Sequence, residues 1–219
     1  MSLGRRLGAE ALGTALLLAT VIGSGIMGER LAAGNVAVAL LANSIATGTA
    51  LYALILVFAP ISGAHFNPAV SLVAALHKQM RWSHAAAYVC VQIVAAFAGV
   101  MAAHAMFGEP LLFASNHERT GAAQWFAEGV ATFGLLVVIL GSAKQSLPAV
   151  AAAVGAYITA AYWFTASTSF ANPAVTLARA ASDTFAGIRP LDAPAFIVAQ
   201  LAGAVVAACV ARWLILEKK

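Results

Sequence analysis

Residues 62–70 read Ser-Gly-Ala-His-Phe-Asn-Pro-Ala-Val, and residues 169–175 repeat the core of this motif as Ser-Phe-Ala-Asn-Pro-Ala-Val. Asn is a strong N-cap residue and Pro is favoured at the first helical position, so each Asn-Pro-Ala predicts the start of a short helix after irregular backbone. The two copies are Asn67-Pro68-Ala69 and Asn172-Pro173-Ala174. One copy alone would be compatible with an ordinary turn. Two copies, placed alike in two apolar halves, indicate a duplicated unit.

The amino-acid composition is typical of an integral membrane protein. Hydrophobic residues make up 62% and charged residues 9% of the 219 residues, whereas soluble domains contain about 25% charged residues. Six spanning helices of about 20 residues and two helices of half that length need roughly 140 residues, which leaves only short connections and no room for a soluble domain. The net charge of +4 therefore bears on helix orientation rather than on nucleic-acid binding.

Apolar runs and helix breakers divide the chain into six predicted spans. The predicted spans are residues 7–27, 36–58, 83–106, 122–141, 147–165 and 195–216. Pro60 is expected to end the second span. The half helices are expected to run from Asn67 to His77 and from Asn172 to about Asp183, too short to cross a bilayer, so each should enter and leave on the same side. A polar stretch over residues 108–121 is predicted to connect the two halves.

The two halves are interpreted as an internal repeat within one domain, residues 1–219, with repeat 1 at about 1–108 and repeat 2 at about 120–219. Residues 9–14 are similar to residues 127–132, and Gln92 is matched by Gln200. Each half contains three spans, an odd number, so the second repeat must cross the membrane upside down.

Irregular backbone at membrane depth indicates a polar path, because unpaired backbone groups are tolerated there only inside protein or beside a wet cavity. The carbonyl groups expected to face this path belong to Gly63, Ala64, His65, Ser169, Phe170 and Ala171. Each half-helix N-terminus adds about +0.5 charge, which disfavours cations and protons at the centre. The alternative is that Asn67 and Asn172 only cap their helices.

Glu10 and Glu128 are acids at matching depths in the first and fourth spans. An acid inside a membrane can belong to a proton relay. Their symmetric placement beside the two loops favours a structural role instead, in which each carboxylate accepts backbone N–H groups from a loop.

The paired motifs resemble those of the major intrinsic protein family, the aquaporins and aquaglyceroporins, over essentially the whole chain. The resemblance implies an all-α membrane protein, an aquaporin-like bundle of six transmembrane helices and two re-entrant half helices with an inverted repeat. It also implies a homotetramer with one pore per subunit in membrane lipid, without a cofactor. In this family the two Asn side chains orient permeating molecules, and buried acids such as Glu10 and Glu128 are structural; Gln92 and Gln200 are expected to be buried beside them.

The resemblance also implies a second constriction, the selectivity filter, outward of the Asn pair. Counting from Asn67 and Asn172 places it at Thr47, Ala160, Ser169 and Val175. Family members usually carry Arg where this chain has Val175, and a small apolar side chain removes both bulk and charge. With Thr47 and Ala160 also small, we expect a wide filter, similar to the bacterial subgroup with Val at this position that is associated with trivalent arsenic permeation.

The expected function is therefore a passive channel for glycerol-like polyols, neutral metalloid hydroxides such as arsenous acid, and water. The alternatives are an ordinary water-selective aquaporin, a secondary transporter and a structural membrane protein of the same fold. An enzyme is not indicated, because the sequence shows neither a nucleophile with a base nor a metal cluster.

Three further features leave alternatives open. Arg179 lies four residues after Val175 and either supplies a displaced positive charge at the mouth or is exposed or paired with Asp183. His65 is expected to line the pore, with pH gating as the alternative. Cys90 and Cys209 are interpreted as buried packing residues rather than as a disulfide or metal ligands. The remaining His residues, interpreted as interfacial or solvated, are His77, His84, His104 and His117.

The distribution of basic residues predicts both termini on the cytoplasmic side. The residues expected there are Arg5, Arg6, Lys78, Arg81, Lys144, Arg212, Lys218 and Lys219, against Arg30, Arg119, Arg179 and Arg189 outside. We expect a bacterial inner membrane. A signal peptide at the start is the alternative, but Glu10 in the apolar run and the lack of a convincing cleavage site argue against it.

Overall fold

The computed structural model describes residues 1–216, which form eight α-helices and a closing π-helical turn. The elements are α1 (Leu3–Leu31), α2 (Val36–Ser62), α3 (Pro68–Leu76), α4 (Trp82–Phe107), α5 (Ala122–Ser142), α6 (Leu147–Phe164), α7 (Pro173–Arg179), α8 (Ala193–Ala211) and the turn Arg212–Leu216. All helices except α3 and α7 are long and apolar enough to cross a membrane. The prediction of an all-α membrane protein with six spans and two half helices is confirmed.

The half helices begin where the Asn-Pro pairs predict. The Asn67 Oδ1 atom accepts the N–H of Ala69 at 2.9 Å, and the Asn172 Oδ1 atom accepts the N–H of Ala174 at 3.0 Å. With 9 and 7 residues, α3 and α7 are about 14 and 10 Å long. Neither can cross a hydrocarbon core of about 30 Å, so each spans only part of the bundle.

Contacts between the helices follow the repeat. In the first half α1 packs against α2 and α4, in the second half α5 packs against α6 and α8, and α2 packs against α6 to join the halves. Glycines allow the closest approaches: a Cβ atom at Gly155 would overlap the carbonyl oxygen of Gly48, and one at Gly203 would overlap that of Gly129. Small residues at such crossings are what helix packing in a membrane requires.

The bundle has two ends. One end is the end at which α7 stops, and we name it the α7 face. It carries the 108–121 connection, because the N–H of Ser115 donates to Ala180 O at 3.0 Å and the N–H of Arg189 donates to His117 O at 2.7 Å. The opposite end, the α3 face, holds the start of α1, the end of α3 and the end of α8.

Several helix ends differ from the sequence prediction, and α1 extends four residues beyond the predicted span 7–27 at each end. The second span continues beyond Phe58 to Ser62 with Pro60 inside its last turns, and it stops at Gly63, whose φ of 92° is left-handed. Pro60 thus bends or weakens the final turns rather than ending the helix. The second half helix stops at Arg179, before Asp183, and an irregular segment leads from there to α8.

The burial predicted for the cysteines was wrong: Cys90 and Cys209 are both exposed on the bundle. A membrane helix can leave small apolar side chains facing lipid, so an apolar run does not indicate burial inside the protein. His104 was predicted to be interfacial or solvated, and this was also wrong. Its imidazole is fully buried, 2.9 Å from Leu111 O and 2.8 Å from the Ser182 hydroxyl, because the connection folds over the end of α4.

Candidate pore and selectivity filter

A single elongated cavity of about 270 Å³ follows the two half helices through the bundle, from Gln79 near the α3 face to Arg179 at the α7 face. One wall is apolar and comes from four of the spanning helices. Its residues are Leu17, Val21, Leu51, Ile55, Leu135, Ile139, Val150, Val154 and Ile158. The facing wall consists of the two loops that precede α3 and α7, so the cavity is amphipathic along its length.

Both loops carry the same alternating backbone conformation. Ala64 and Phe66 have φ of 51° and 49°, and Ser169 and Ala171 have φ of 51° and 48°. These positions lie three and one residues before each Asn, so the two loops are matched. Left-handed backbone at a non-glycine residue costs on the order of 1–3 kcal/mol and persists only when surrounding structure holds it.

Two fully buried carboxylates hold these loops. Glu10 accepts the N–H groups of His65 and Phe66 at 3.0 and 2.7 Å. Glu128 accepts the N–H groups of Phe170 and Ala171 at 2.8 and 2.9 Å. Gln92 and Gln200, also fully buried, donate to these carboxylates at 2.9 and 2.6 Å. Both oxygens of each acid therefore accept hydrogen bonds, and neither acid lines the cavity.

The two Asn side chains meet at the middle of the cavity and fix each other's loop. Asn67 Nδ2 donates to Ala171 O at 2.8 Å, and Asn172 Nδ2 donates to Phe66 O at 2.7 Å. A side-chain amide has two N–H donors, and each of these amides uses one across the centre. The second N–H of each is available to a molecule in the cavity, which both Asn residues line.

The structure places three of the four sequence-predicted filter residues on the cavity wall, namely Thr47, Ser169 and Val175, all at most 5% exposed. Ala160 is a correction: it lies on the exposed side of α6 and does not line the cavity. The residues of α6 that do line it follow the helical period, and they are Val150, Val154, Ile158 and Tyr162. Because successive helical residues are rotated by about 100°, Ala160 points away from the face shared by Ile158 and Tyr162.

Tyr162 is the wall residue that counting along the sequence missed. Its hydroxyl lies 3.2 Å from Thr47 Oγ1 on α2, and the ring is 3% exposed. Val150, Val154, Ile158 and Tyr162 follow one another at intervals of four residues. Bulky residues at this interval lie on one face of a helix, so the sequence contained a signal for Tyr162. The sequence predicts the small side chain of Ala160 in the filter. The structure instead has the aromatic ring of Tyr162 on the cavity wall, where its hydroxyl contacts Thr47.

Arg179 is neither exposed nor paired with Asp183, so that interpretation of the sequence was wrong. Its side chain is 2% exposed and lines the cavity, with Nε donating to Ala186 O. Its guanidinium carbon lies 3.3 Å from the centroid of the Phe170 ring. Asp183 instead accepts the backbone N–H and the side-chain amide of Asn116, each at 2.8 Å, and these hydrogen bonds hold the pKa of Asp183 below its usual value.

A second guanidinium, that of Arg119, lies beside the same ring, 5.2 Å from its centroid. It reaches there from the connection between the halves, with Nε donating to Gly187 O at 2.8 Å. Burial lowers the pKa of Arg119 to about 10, so it stays a cation at neutral pH. The sequence places Arg119 in the polar connection and among the basic residues expected outside, and no local signal distinguishes it from an exposed Arg.

His65 lines the cavity toward the α3 face. Its Nδ1 atom lies 3.0 Å from the Ser71 hydroxyl, and its ring lies against Tyr88 with 5.3 Å between centroids. Both contacts fix the ring on the cavity wall. Within residues 1–216 there is no group of three or more His, Cys, Asp or Glu side chains that could hold a metal ion.

Comparisons with known proteins agree with this architecture. The sequence model of the major intrinsic protein family matches residues 1–146 and 141–218. The chain is 56% identical to aquaglyceroporin AqpS of Rhizobium meliloti over 97% of this chain and 91% of that protein. It is 31% identical to aquaporin NIP6-1 of Arabidopsis thaliana over 67% of this chain and 47% of that protein.

A solved structure, that of the aquaglyceroporin from Plasmodium falciparum, has the same fold. It is similar with a TM-score of 0.79 over 98% of this chain and 97% of that one, at 22% identity. The matched half helices, the paired Asn-Pro-Ala motifs and the extent of the sequence match lead to one conclusion. The chain belongs to the major intrinsic protein family, whose members are integral membrane channels for small neutral solutes and not enzymes.

Proposed function

We propose that the protein is a passive channel with a wide filter that admits glycerol-sized polyols and neutral metalloid hydroxides such as arsenous acid as well as water. The observation that carries this proposal is Val175 on the cavity wall, at the position where the family resemblance expects an Arg. The relative at 56% identity is named an aquaglyceroporin, which supports solutes larger than water.

The filter is open on one side because three of its residues are small. Val175, Ser169 and Thr47 line the cavity, and none of them has the bulk of an Arg side chain. Tyr162 is large, but the contact of its hydroxyl with Thr47 holds the ring against the wall of α2. Thr47 and Tyr162 therefore shape the filter together.

The amphipathic cavity suits a hydroxylated solute with an apolar backbone. The carbon atoms of such a solute can lie against Ile158 and its neighbours, while its hydroxyl groups exchange hydrogen bonds along the loops. Selectivity in a pore of this kind depends on diameter, on the donors and acceptors of its wall and on electrostatic barriers. The two half-helix N-termini and the free Asn N–H groups at the centre supply a barrier to cations.

We propose further that the channel is a homotetramer with one pore per subunit and that it lies in a bacterial inner membrane with the α3 face in the cytoplasm. Six described basic residues lie at that face, and they are Arg5, Arg6, Lys78, Arg81, Lys144 and Arg212. At the α7 face Arg119 and Arg179 are buried, so Arg30 and Arg189 are the described basic residues that remain accessible there. This asymmetry favours a cytoplasmic α3 face. Lys218 and Lys219 lie outside the described residues.

Stopped-flow light scattering on proteoliposomes tests the wide filter. We expect the wild type to take up water, glycerol and arsenous acid, and Val175→Arg to reduce the uptake of the two larger solutes by about tenfold or more while water still passes. Val175→Leu is the matched control, because it adds volume without charge and should reduce the uptake of large solutes less.

Three outcomes would contradict the proposal. A wild type that conducts water but excludes glycerol and arsenous acid would be a water-selective aquaporin, with Tyr162 and Arg179 narrowing the filter. Fast uptake of all three solutes by Val175→Arg would show that residue 175 does not set the width. A protein that conducts none of these solutes would instead be a structural relative.

A further inference from the structure

We propose that Arg179 is the cation of the selectivity filter in this protein: its guanidinium, delivered from one helical turn further along α7, excludes cations and donates hydrogen bonds to solutes while Val175 leaves the filter wide. This inference rests on the proposed channel function. It assigns the charge selectivity of the channel to Arg179 and the width of the filter to Val175.

The first step is the position of the guanidinium group. The Cα atom of Arg179 lies four residues, or about 6 Å, beyond that of Val175 along the helix axis. Side chains of a helix lean toward its N-terminus, however, so the long Arg side chain points back toward the loop before α7. There it lies over Phe170, the neighbour of the filter residue Ser169, with 3.3 Å from its central carbon to the ring centroid. The charged group is thus returned to the level of the filter.

The second step is the set of free donors. A guanidinium carries five N–H donors, and Arg179 uses Nε on Ala186 O, while no described residue accepts a hydrogen bond from its two Nη groups. Neither Nη atom is a buried atom lacking a partner, so both are accessible from the cavity that the residue lines. A molecule in the filter can therefore accept hydrogen bonds from Arg179.

A second unpartnered group lies in the same filter. Ser169 is 2% exposed and lines the cavity, and its Oγ atom has no hydrogen-bond partner among the described residues. A buried hydroxyl without a partner is costly unless something else occupies the site. A solute hydroxyl can accept from Arg179 and donate to Ser169 at once, which matches polyols and neutral hydroxides and does not match a cation.

The third step is that no acidic side chain within residues 1–216 forms an ion pair with Arg179. Asp183 is engaged by Asn116, and Glu128 is engaged by the loop N–H groups and by Gln200. Arg119 adds a second cation on the same aromatic ring. A positive potential in a largely apolar passage raises the barrier for any cation far more than for a neutral solute.

The test compares cation leak with solute flux in the same proteoliposomes. In Arg179→Gln and Arg179→Met, which remove the charge and keep an unbranched side chain, we expect the proton and sodium leak under an imposed potential to rise by about tenfold or more. Glycerol uptake should stay at the wild-type level or increase. Arg179→Lys keeps the charge and should leak as little as the wild type. Arg30→Gln is the matched control, because Arg30 lies at the same face but is exposed and paired with Glu109 at 2.8 Å.

A transposed variant separates charge from width. Val175→Arg combined with Arg179→Gln returns the guanidinium to position 175, so it should leak as little as the wild type and lose glycerol uptake. The proposal is overturned if both neutral variants conduct glycerol or water normally and leak no more than the wild type. It is also overturned if the transposed variant, which keeps a guanidinium in the filter, leaks more than the wild type. If the wild type excludes glycerol, the proposed function is wrong but the proposal for Arg179 is still tested. The cation leak of each variant is then compared at equal water conduction.

Discussion

At the scale of single residues, the buried carboxylates bear directly on the shape of the pore wall. Glu128 accepts three hydrogen bonds, from the N–H groups of Phe170 and Ala171 and from the side chain of Gln200. Glu128→Gln replaces one acceptor oxygen by an amino group that faces donors. A buried donor left unpaired costs about 1–3 kcal/mol, so we expect a lower midpoint of thermal unfolding in detergent, measured by differential scanning fluorimetry, and slower solute uptake in liposomes.

Glu10→Gln is expected to behave in the same way, because Glu10 anchors the first loop in the matching position. Glu29→Gln serves as the control, since Glu29 is exposed. Equal unfolding midpoints for the variants at Glu128 and Glu29 would contradict the anchoring role. A proton relay through either acid would instead change proton flux while leaving the unfolding midpoint in place.

The correction at α6 leads to a second prediction at this scale. Ile158→Phe places a larger side chain on the cavity wall, and we expect glycerol uptake to fall by about tenfold. Ala160→Phe adds more volume on the same helix only two residues away, but on the exposed face, and should leave uptake within about twofold of the wild type. Proteoliposome swelling rates at equal protein content compare them. A loss confined to the Ala160 variant would restore the filter that counting along the sequence had placed there.

These residues also show how far the sequence determines the candidate site. The paired Asn-Pro-Ala motifs locate both loops, because capping is a local property of a few adjacent residues. Counting from Asn172 reaches Ser169 and Val175, which stand close to it on continuous backbone. The count to Ala160 passes through an irregular turn after α6, where one or two residues change the helical face. The burial of Arg119 and Arg179 depends on tertiary contacts with Phe170, which no local pattern reveals.

At the scale of helices, the junction of α2 and α6 depends on two glycines. A Cβ atom at Gly155 would overlap the backbone oxygen of Gly48, which cannot rotate away. Alanine normally favours a helix over glycine by about 0.5–1 kcal/mol. Gly155→Ala should nevertheless destabilise the protein, by about 1–3 kcal/mol, because the two helices must move apart. Thermal unfolding in detergent measures the sign of the change.

Gly8→Ala provides the comparison within the same protein. No atom lies within 4 Å of a Cβ atom built at Gly8, so this substitution should be neutral or stabilising. If both alanine variants raise the unfolding midpoint, the junction of α2 and α6 is looser than the structure indicates. The pair tests helix contact rather than helix propensity, because propensity acts in the same direction at both glycines.

Helix number and type, and most helix ends to within two residues, could be predicted from the sequence, whereas the ends of α1, α2 and α7 could not. Long apolar runs separated by polar residues determine the six spans, since a bilayer fixes their minimum length. Pro60 looked like a helix end, but α2 continues for two residues beyond it to Gly63. Proline removes one backbone donor and leaves the last turn possible when a left-handed glycine follows. The early end of α7 at Arg179 follows from packing of the next segment against Phe170 and Phe196, which the local sequence does not show.

At the scale of the whole molecule, the inverted repeat places two similar half helices end to end and leaves the two faces chemically different. The connection closes the α7 face with hydrogen bonds to the segment after α7. The α3 face carries most of the exposed basic residues. Since the two halves are alike in the membrane interior, the loop charges are the feature that distinguishes one orientation from the other.

The orientation can be measured with single cysteines. Cys90 and Cys209 are exposed on the bundle, so both are first replaced by Ala to give an unreactive background. Glu118→Cys then reports on the α7 face, where the Glu118 side chain is 62% exposed, and Lys144→Cys reports on the α3 face. With a membrane-impermeant maleimide we expect labelling of the Glu118 variant in intact spheroplasts, and labelling of the Lys144 variant only after permeabilisation. The reverse pattern would contradict a cytoplasmic α3 face. Flux measurements cannot detect the orientation, because a passive pore conducts equally in both directions.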